Sequence, residues 1–335
     1  MSSPTQTPAG DQPKEQMSVS VVNITDPTAV DESIEVLDQD VVNLDTEGFG
    51  VKRVTVPFEE CCLLYQRTTA RLRTRTRVHK NFDSATVLGP NARGSLDGVE
   101  LQPHALIAAG AGAHAEIIVD SGYESVAFLV PPQVLDEHLT LRGRSIDPAI
   151  PDGAEVWHPA VDRAREHFEL GVRISDAAEK APEIFNDGHW ARYGAQVEFM
   201  DSLLATIESC RPDEHIDTDK KGRNYSEIVR TCEDLTLKLD GRRPYLSELC
   251  EAANVSERTL QYAFSDIIGM SPLTYLHRLR LHRARDELRK AEKGTTTVTD
   301  VALNWGFWHF GEFSRAYKNC FGETPSRTLR RQAND

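Results

Sequence analysis

A unit of two short helices around a tight turn is written twice in the last third of the chain, and this repetition restricts the fold more than any other feature of the sequence. The first copy reads Leu246-Ser247-Glu248-Leu249-Cys250-Glu251-Ala252-Ala253, turns at Asn254-Val255, and resumes as a helix from Glu257 to about Phe264. Ser256 caps that second helix, because its hydroxyl accepts from an otherwise unpaired N–H, and Glu257 lies near the positive end of the dipole. Leu260 and Phe264, four apart, face inward with Val255, which leaves Arg258, Gln261 and Tyr262 facing out. The second copy opens on Thr297-Val298-Thr299-Asp300, a capping-box-like start. It continues through Val301-Ala302-Leu303, turns at Trp305-Gly306-Phe307, and resumes from His309 to about Cys320. Phe313 and Tyr317 form its inner side; Phe310, Gly311, Glu312, Arg315 and Lys318 form its outer side.

Between the copies, Ser271-Pro272 to about Glu292 reads as one helix with Pro at its start. At 1.5 Å per residue its roughly 20 residues span about 30 Å, close to one DNA turn of about 34 Å. Its polar side carries Arg278, Arg280, Arg283, Arg285, Arg289 and Lys290. Two polar-faced helices held that far apart suit two successive major grooves, each about 12 Å wide. Arg and Gln side chains match the hydrogen-bonding edges of guanine and adenine. A further amphipathic helix, Ile228–Leu239, precedes them and stops at Asp240-Gly241.

The segment from about Tyr225 to Arg330 resembles the DNA-binding domain of the AraC/XylS family of transcriptional regulators. The residues that carry the resemblance are Arg280-Leu281, Ala284, Leu288, Val298, Val301-Ala302, Gly306-Phe307, Phe313, Tyr317, Gly322 and Thr324-Pro325. Gly306-Phe307-Trp308-His309 and Ser256 through Phe264 look closest to the ethanolamine-utilisation regulator branch, which implies ethanolamine or a cobalamin-type effector. The resemblance places DNA contacts on Ser256, Glu257, Arg258, Gln261 and Tyr262 in the first unit. In the second it places them on His309, Phe310, Gly311, Glu312 and Arg315. This chain departs from the family at Tyr245, where Ser or Thr often starts the first bracing helix, and at His309, where Ser or Asp is frequent. Phe310 and Gly311 offer no bidentate base contact, although a phenyl ring suits a thymine methyl. The resemblance also implies activation through RNA polymerase, a small-molecule effector and a homodimer.

The net charge of −14 argues against a nucleic-acid partner until its distribution is read. Residues 221–335 hold 19 Lys and Arg against 15 Asp and Glu, whereas residues 1–220 hold 19 against 37. An acidic part is joined to a mildly basic one, as expected of a DNA reader fused to a sensor. Residues 1–18 are polar and rich in Ser, Thr, Pro and Gln, and are expected to be a disordered tail. Residues 19–211 form the expected effector-sensing and dimerisation domain. Its strands are expected at Val51–Val56, Thr68–Val78, Ser84–Leu88, Ala105–Ala109, Ala115–Val119 and Ser125–Val130, a small sandwich or cupin-like barrel. Helices follow at Val134–Leu139, Val161–Leu170 and Trp190–Cys210. In the last of these, Trp190, Tyr193, Val197, Met200, Leu204 and Ile207 recur as an a/d seam that fits either its own domain or a dimer partner. Residues 212–223 are the expected linker, and 224–331 the DNA-binding domain with units at about 246–265 and 298–320. The fold class is α+β: a β-rich sensor followed by an all-α domain.

Other features carry two readings. Arg71, Arg73, Arg75 and Arg77 alternate, so a strand would put all four on one face. That face is either an anion-binding wall for an effector or a set of surface ion pairs. His104 and His114 are too far apart for the His-x-His of a metal cupin, and no metal or cofactor is expected. Cys61 and Cys62, adjacent on a strand, point to opposite faces, which speaks against a shared redox pocket. Trp305, Trp308 and Phe310 cluster near the second turn and read either as a stacking platform for unpaired bases or as core packing, the latter being expected for Trp305. No run long enough to span a membrane and no signal-peptide stretch is present, so a cytoplasmic protein without a membrane partner is expected. No nucleophile triad or phosphate loop stands out, and the chain is not expected to be an enzyme. The alternative is a cupin-like enzyme domain fused to an autoregulatory DNA-binding module.

Overall fold

Short apolar runs cut by turn residues do build a β domain, with more strands than the runs announce. The computed structural model describes residues 18–30, 37–45, 48–143, 150–186, 189–210, 220–239, 241–292 and 294–331. Residues 1–17 of the expected tail and 212–219 of the expected linker lie outside these. Strands run over β1 (Ser20–Ile24), β2 (Leu37–Asn43), β3 (Val51–Pro57), β4 (Cys62–Thr68), β5 (Leu72–Val78) and β6 (Asp83–Leu88). They continue with β7 (Gly94–Leu96), β8 (Val99–Leu101), β9 (Leu106–Ala109), β10 (His114–Val119), β11 (Glu124–Val130) and β12 (Ala154–Trp157). The expected strand Thr68–Val78 is divided, because Thr68 ends β4 and β5 starts only at Leu72.

The strands form two antiparallel sheets. One has seven strands in the order β1-β3-β4-β11-β6-β9-β12; the other has five, β2-β5-β10-β7-β8. Leu72, Leu88, Leu96 and Val119 are among the apolar side chains that fill the space between them. Two long helices, α2 (Val161–Lys180) and α4 (His189–Glu208), lie on the seven-stranded sheet; α1 (Pro132–Leu141) and α3 (Glu183–Asn186) flank them. The approach of α2 requires Gly171, where a Cβ would come within 2.4 Å of Val126 Cγ1. Cys61 packs with this helix layer and Cys62 with the inter-sheet layer, so both are buried although they point to opposite faces. Burial pushes the Cys62 thiol up to about 12, which leaves it an inert core group.

The heptad seam of α4 divides. Met200, Leu204 and Ile207 are buried in the core of their own domain, while Trp190 and Tyr193 are 79% and 50% exposed. A seam running the whole helix as a dimer interface is therefore corrected: its carboxy-terminal half has its partner within the chain.

The carboxy-terminal part is helical throughout: α5 (Lys220–Lys238), α6 (Leu246–Ala252), α7 (Glu257–Ile267), α8 (Pro272–Lys290), α9 (Val298–Asn304), α10 (Phe310–Phe321) and α11 (Pro325–Arg331). Lys220–Arg223, the end of the expected linker, is instead the first turn of α5. Leu260, Ala263, Phe264, Tyr275, Leu276 and their neighbours make one core around α5–α8. Leu281, Ala284, Leu288, Val301, Ala302, Phe307, Phe313 and Tyr317 make a second around α8–α11. Helix α8 contributes to both, as a shared rod must. No helix among the described residues is long and apolar enough to cross a membrane.

Candidate nucleic-acid interface

The two helical units close their turns with the same hydrogen bonds. In the first, Val255 N–H donates to Cys250 O (3.0 Å) and Asn254 N–H to Glu251 O (3.1 Å). In the second, Phe307 N–H donates to Ala302 O (2.8 Å) and Gly306 N–H to Leu303 O (2.9 Å). Asn254 and Gly306 hold the left-handed position of each turn, at φ of 52° and 73°. Asn tolerates that region; Gly306 is needed for a further reason, since a Cβ there would meet the Arg242 backbone at 3.1 Å. The second turn is one residue longer. Ser256 caps α7 directly after Val255, whereas Trp308 intervenes between Phe307 and the His309 cap of α10. That insertion pushes Trp308 outward to 66% exposure, while Trp305 packs behind the turn and donates from Nε1 to Glu287 (2.6 Å).

Both outer helices present the residues that the sequence assigns to them. Ser256 Oγ accepts from Thr259 N–H (3.2 Å) and so fixes the start of α7. Arg258, Gln261 and Tyr262 are exposed one turn further on. Arg258 Nη2 donates to Tyr262 Oη (3.0 Å), and its guanidinium lies 5.4 Å from the ring centroid of Tyr262. This i, i+4 pair holds the arginine fork in a limited set of positions. On α10, His309, Phe310, Gly311, Glu312 and Arg315 are all exposed. The His309 side chain makes no cap hydrogen bond, and Gly311 has open space around its missing Cβ. Arg315 Nε donates to Gly311 O (3.4 Å), a weak tether on an otherwise free fork. The departure at Tyr245 is compensated. Glu248 accepts from the Tyr245 N–H (2.8 Å), and Arg242 donates to both Glu248 oxygens (2.8 and 2.9 Å). The hydrogen bonds from Arg242, then from the Tyr245 backbone, hold the Glu248 carboxyl down at about 2.

The arginines of α8 do not form the free polar stripe that the sequence suggests. Arg280 is buried, donates to Trp305 O (3.1 Å) and lies 5.0 Å from the Phe307 ring, which ties the rod to the second turn. Burial, with Arg243 nearby, draws it down to about 10. Most of the others reach the amino-terminal domain. Arg278 Nη1 donates to backbone oxygens at Asn43 (3.2 Å) and Asp45 (3.1 Å), and also to Leu44 O. Arg283 pairs with Asp40, Arg285 with Asp26 (2.6 Å), and Arg289 donates to Thr28 Oγ1 (3.0 Å).

The alternating arginines of β5 answer from the other side. Across the five-stranded sheet, Arg75 lies opposite Asp40 and Glu116, and Arg77 opposite Asp38. Arg73, 2% exposed, donates to Glu233 of α5 (2.5 and 2.8 Å) and to Glu116 (2.7 Å). Arg75 donates to the same Glu233 (2.6 and 3.0 Å) and to Asp234 (2.8 Å), and Tyr275 donates to Glu233 as well. Burial alone would raise the Glu233 carboxyl, but Arg73, Arg75 and the Tyr275 hydroxyl outweigh it and hold it below its ordinary value. For Glu116 the balance falls the other way: burial and repulsion from Glu233 outweigh Arg73, and its carboxyl is raised. Arg71, just before β5, donates to Ile268 O (2.7 Å) and Ile267 O (3.3 Å), satisfying carbonyls at the end of α7. The face weighed as an effector wall thus meets the chain's own carboxylates and carbonyls, and among the four only Arg77 is exposed. Sequence reasoning placed these arginines on one face; it had no signal for what covers that face.

A pair of short helices with an exposed outer helix, made twice around a shared rod, defines a double helix-turn-helix domain. Residues 249–331 match the family described as Helix-turn-helix domain. A Rhodococcus erythropolis protein named probable thc operon regulatory protein is 36% identical over 104 residues, 31% of this chain and 31% of that protein. The XylDLEGF operon transcriptional activator 1 of Pseudomonas putida is 38% identical over 113 residues, 34% of this chain and 33% of the relative. Among solved structures, a probable AraC family transcriptional regulator from Rhodopseudomonas palustris CGA009 is 35% identical. That match covers 31% of this chain and 96% of the other, at a TM-score of 0.29. Residues 249–331 are a helix-turn-helix domain, similar to that of AraC-family transcriptional regulators. The chain spans about a third of the length of the curated relatives it matches.

Proposed function

We propose that this protein is a sequence-specific, DNA-binding transcriptional regulator that activates its target promoter in response to a small molecule. The observation that carries the reading is the pair of exposed outer faces, Arg258-Gln261-Tyr262 and Phe310-Glu312-Arg315, on one helix-turn-helix domain. Arg258, Gln261 and Arg315 supply forks and amides suited to purine edges, and Phe310 supplies an apolar contact for a thymine methyl. Backbone N–H groups at the starts of α7 and α10 supply phosphate contacts. Activation is supported by the activator named among the relatives. The same reading takes RNA polymerase as the promoter partner, a homodimer as the assembly, the β-rich domain as the effector sensor and the cytoplasm as the location. The sites for DNA are Ser256, Glu257, Arg258, Gln261, Tyr262, His309, Phe310, Gly311, Glu312 and Arg315. Capture of the chromatin fragments bound by the full chain, followed by footprinting of the recovered promoters, tests this. Two protected patches about one helical turn apart are expected. A full chain that enriches no sequence over random DNA rules the reading out.

A further inference from the structure

The amino-terminal domain holds the two reading units by different means. The first unit shares a continuous apolar core with it: Val42 and Ile118 of the five-stranded sheet, with Leu44 just after β2, pack with Ile228, Leu260, Phe264 and Leu276. Arg71 also closes the end of α7, and Arg73 and Arg75 close over Glu233. Among the described residues, the core of the second unit contains none from the amino-terminal domain. The contacts on that side are polar: Arg283 pairs with Asp40 of β2, and the others gather at the short turn Pro27–Ala29 between β1 and β2.

Asp26 caps that turn by accepting from Thr28 N–H (3.0 Å) and Thr28 Oγ1 (2.8 Å). Its two oxygens also accept from Arg285 Nε (3.0 and 3.1 Å), and Oδ2 accepts from Arg285 Nη2 (2.6 Å). Arg285, 5% exposed, in turn donates to Glu323 (2.9 Å), Tyr317 Oη (3.2 Å) and Thr328 (3.4 Å), in or beside α10 and α11. Tyr317 is on the inner side of α10, directly behind the reading face. At the other end of the turn, Val30 O accepts from Arg53 Nη1 (2.9 Å), whose side chain is buried in the β domain with Gln39 and Gln66. Two sets of hydrogen bonds, joined by the backbone of residues 26–30, therefore connect the interior of the β domain with the back of the second outer helix. The reading faces themselves are uncovered, so this hold is compatible with contact to DNA.

We propose that Asp26 is a positioning residue for the second reading unit: through Arg285 it fixes the orientation in which α10 meets DNA. The inference rests on the DNA-binding reading above and adds that the sensor sets the second half of the contact separately from the first. Its test uses the full chain and a duplex selected by the wild-type protein from a random-sequence pool. Arg315→Ala first marks which half of the footprint belongs to α10. Asp26→Asn keeps the acceptor for Thr28 but removes the charge that holds Arg285, while Glu323 still partners that arginine. Asp26→Asn should weaken protection of the α10 half by at least about fivefold, within the usual range of coupling between sites. Protection of the α7 half should stay at the wild-type level. Asp26→Glu should restore most of the loss, and amide exchange in Asp26→Asn should rise over α9–α11 but not over α7. Equal loss in both halves, or no loss in either, overturns the proposal while leaving the DNA-binding reading intact. A wild-type chain that selects no duplex removes that reading and this inference together.

Discussion

Single side chains divide into those exposed on the outer helices, which we propose meet DNA, and those that hold the domains together, and the two kinds respond differently to substitution. Arg315 is exposed and only weakly tethered, so Arg315→Ala is expected to leave stability unchanged. It should weaken specific binding by about 1–3 kcal/mol and relax discrimination at one base pair. Titration of matched and mismatched duplexes checks this, and equal loss on both would deny it a base-reading role. Glu233 is the opposite case. Glu233→Gln leaves Arg73 buried with one carboxylate fewer, and breaking a buried pair in this way costs about 3–5 kcal/mol. Urea unfolding of the full chain measures it. The acid response has a definite sign. Glu233 is lowered in the folded chain, so its contribution is complete above the ordinary glutamate value of 4.5 and is lost as pH falls through the lowered one. The wild-type chain should lose stability below that range, and Glu233→Gln should lack this component. Both roles sat in visible residue types. The difference lay in what covered each, which a lone Arg or Glu in a sequence does not state.

At the scale of elements, local patterns were legible and partners were not. Capping residues Ser256 and Thr297 each accept at the helix starts where the sequence puts them, because a cap depends only on its own next turn. Gly322 ends α10 in the left-handed conformation for the same local reason. Strands β1, β2, β4, β7, β8 and β12 gave no clear reading, because their patterns are short, mixed or without alternation and their pairing is fixed by neighbours across the sheet. The α4 seam shows the limit most plainly. Steps of three and four residues announce an apolar stripe, but a stripe buried on its own sheet and one buried on a second chain have the same spacing. Leu204 is 1% exposed within its own domain. Leu204→Ala should therefore destabilise the chain by about 2–5 kcal/mol, as core leucine truncations do. A variant with unchanged urea midpoint but altered mass by light scattering would return that residue to an intermolecular contact.

Across the whole molecule, the acidic and basic halves that the sequence separates are brought into contact by the fold. The arginine face of α8 meets Asp26, Asp40 and the carbonyls of 43–45, while the alternating arginines of β5 meet Glu233 and Asp234 of α5. Charge asymmetry along the chain thus serves the interface between domains, where the arginines of the rod are engaged by the chain's own carboxylates and carbonyls. Salt dependence separates this role from contact with phosphate. Each phosphate neutralised by the protein adds about 0.9 to the slope of log K against log salt. Arg283 pairs with Asp40 on the face turned to the amino-terminal domain, so Arg283→Ala should leave that slope unchanged while lowering the unfolding midpoint of the full chain. Lys318, exposed on α10 with no such partner among the described residues, should behave conversely: Lys318→Ala reduces the slope by about one and leaves the midpoint alone. A slope that falls on removal of Arg283 would mean that the domains part when DNA binds, with the arginine face of α8 turning from the sensor to the phosphate backbone.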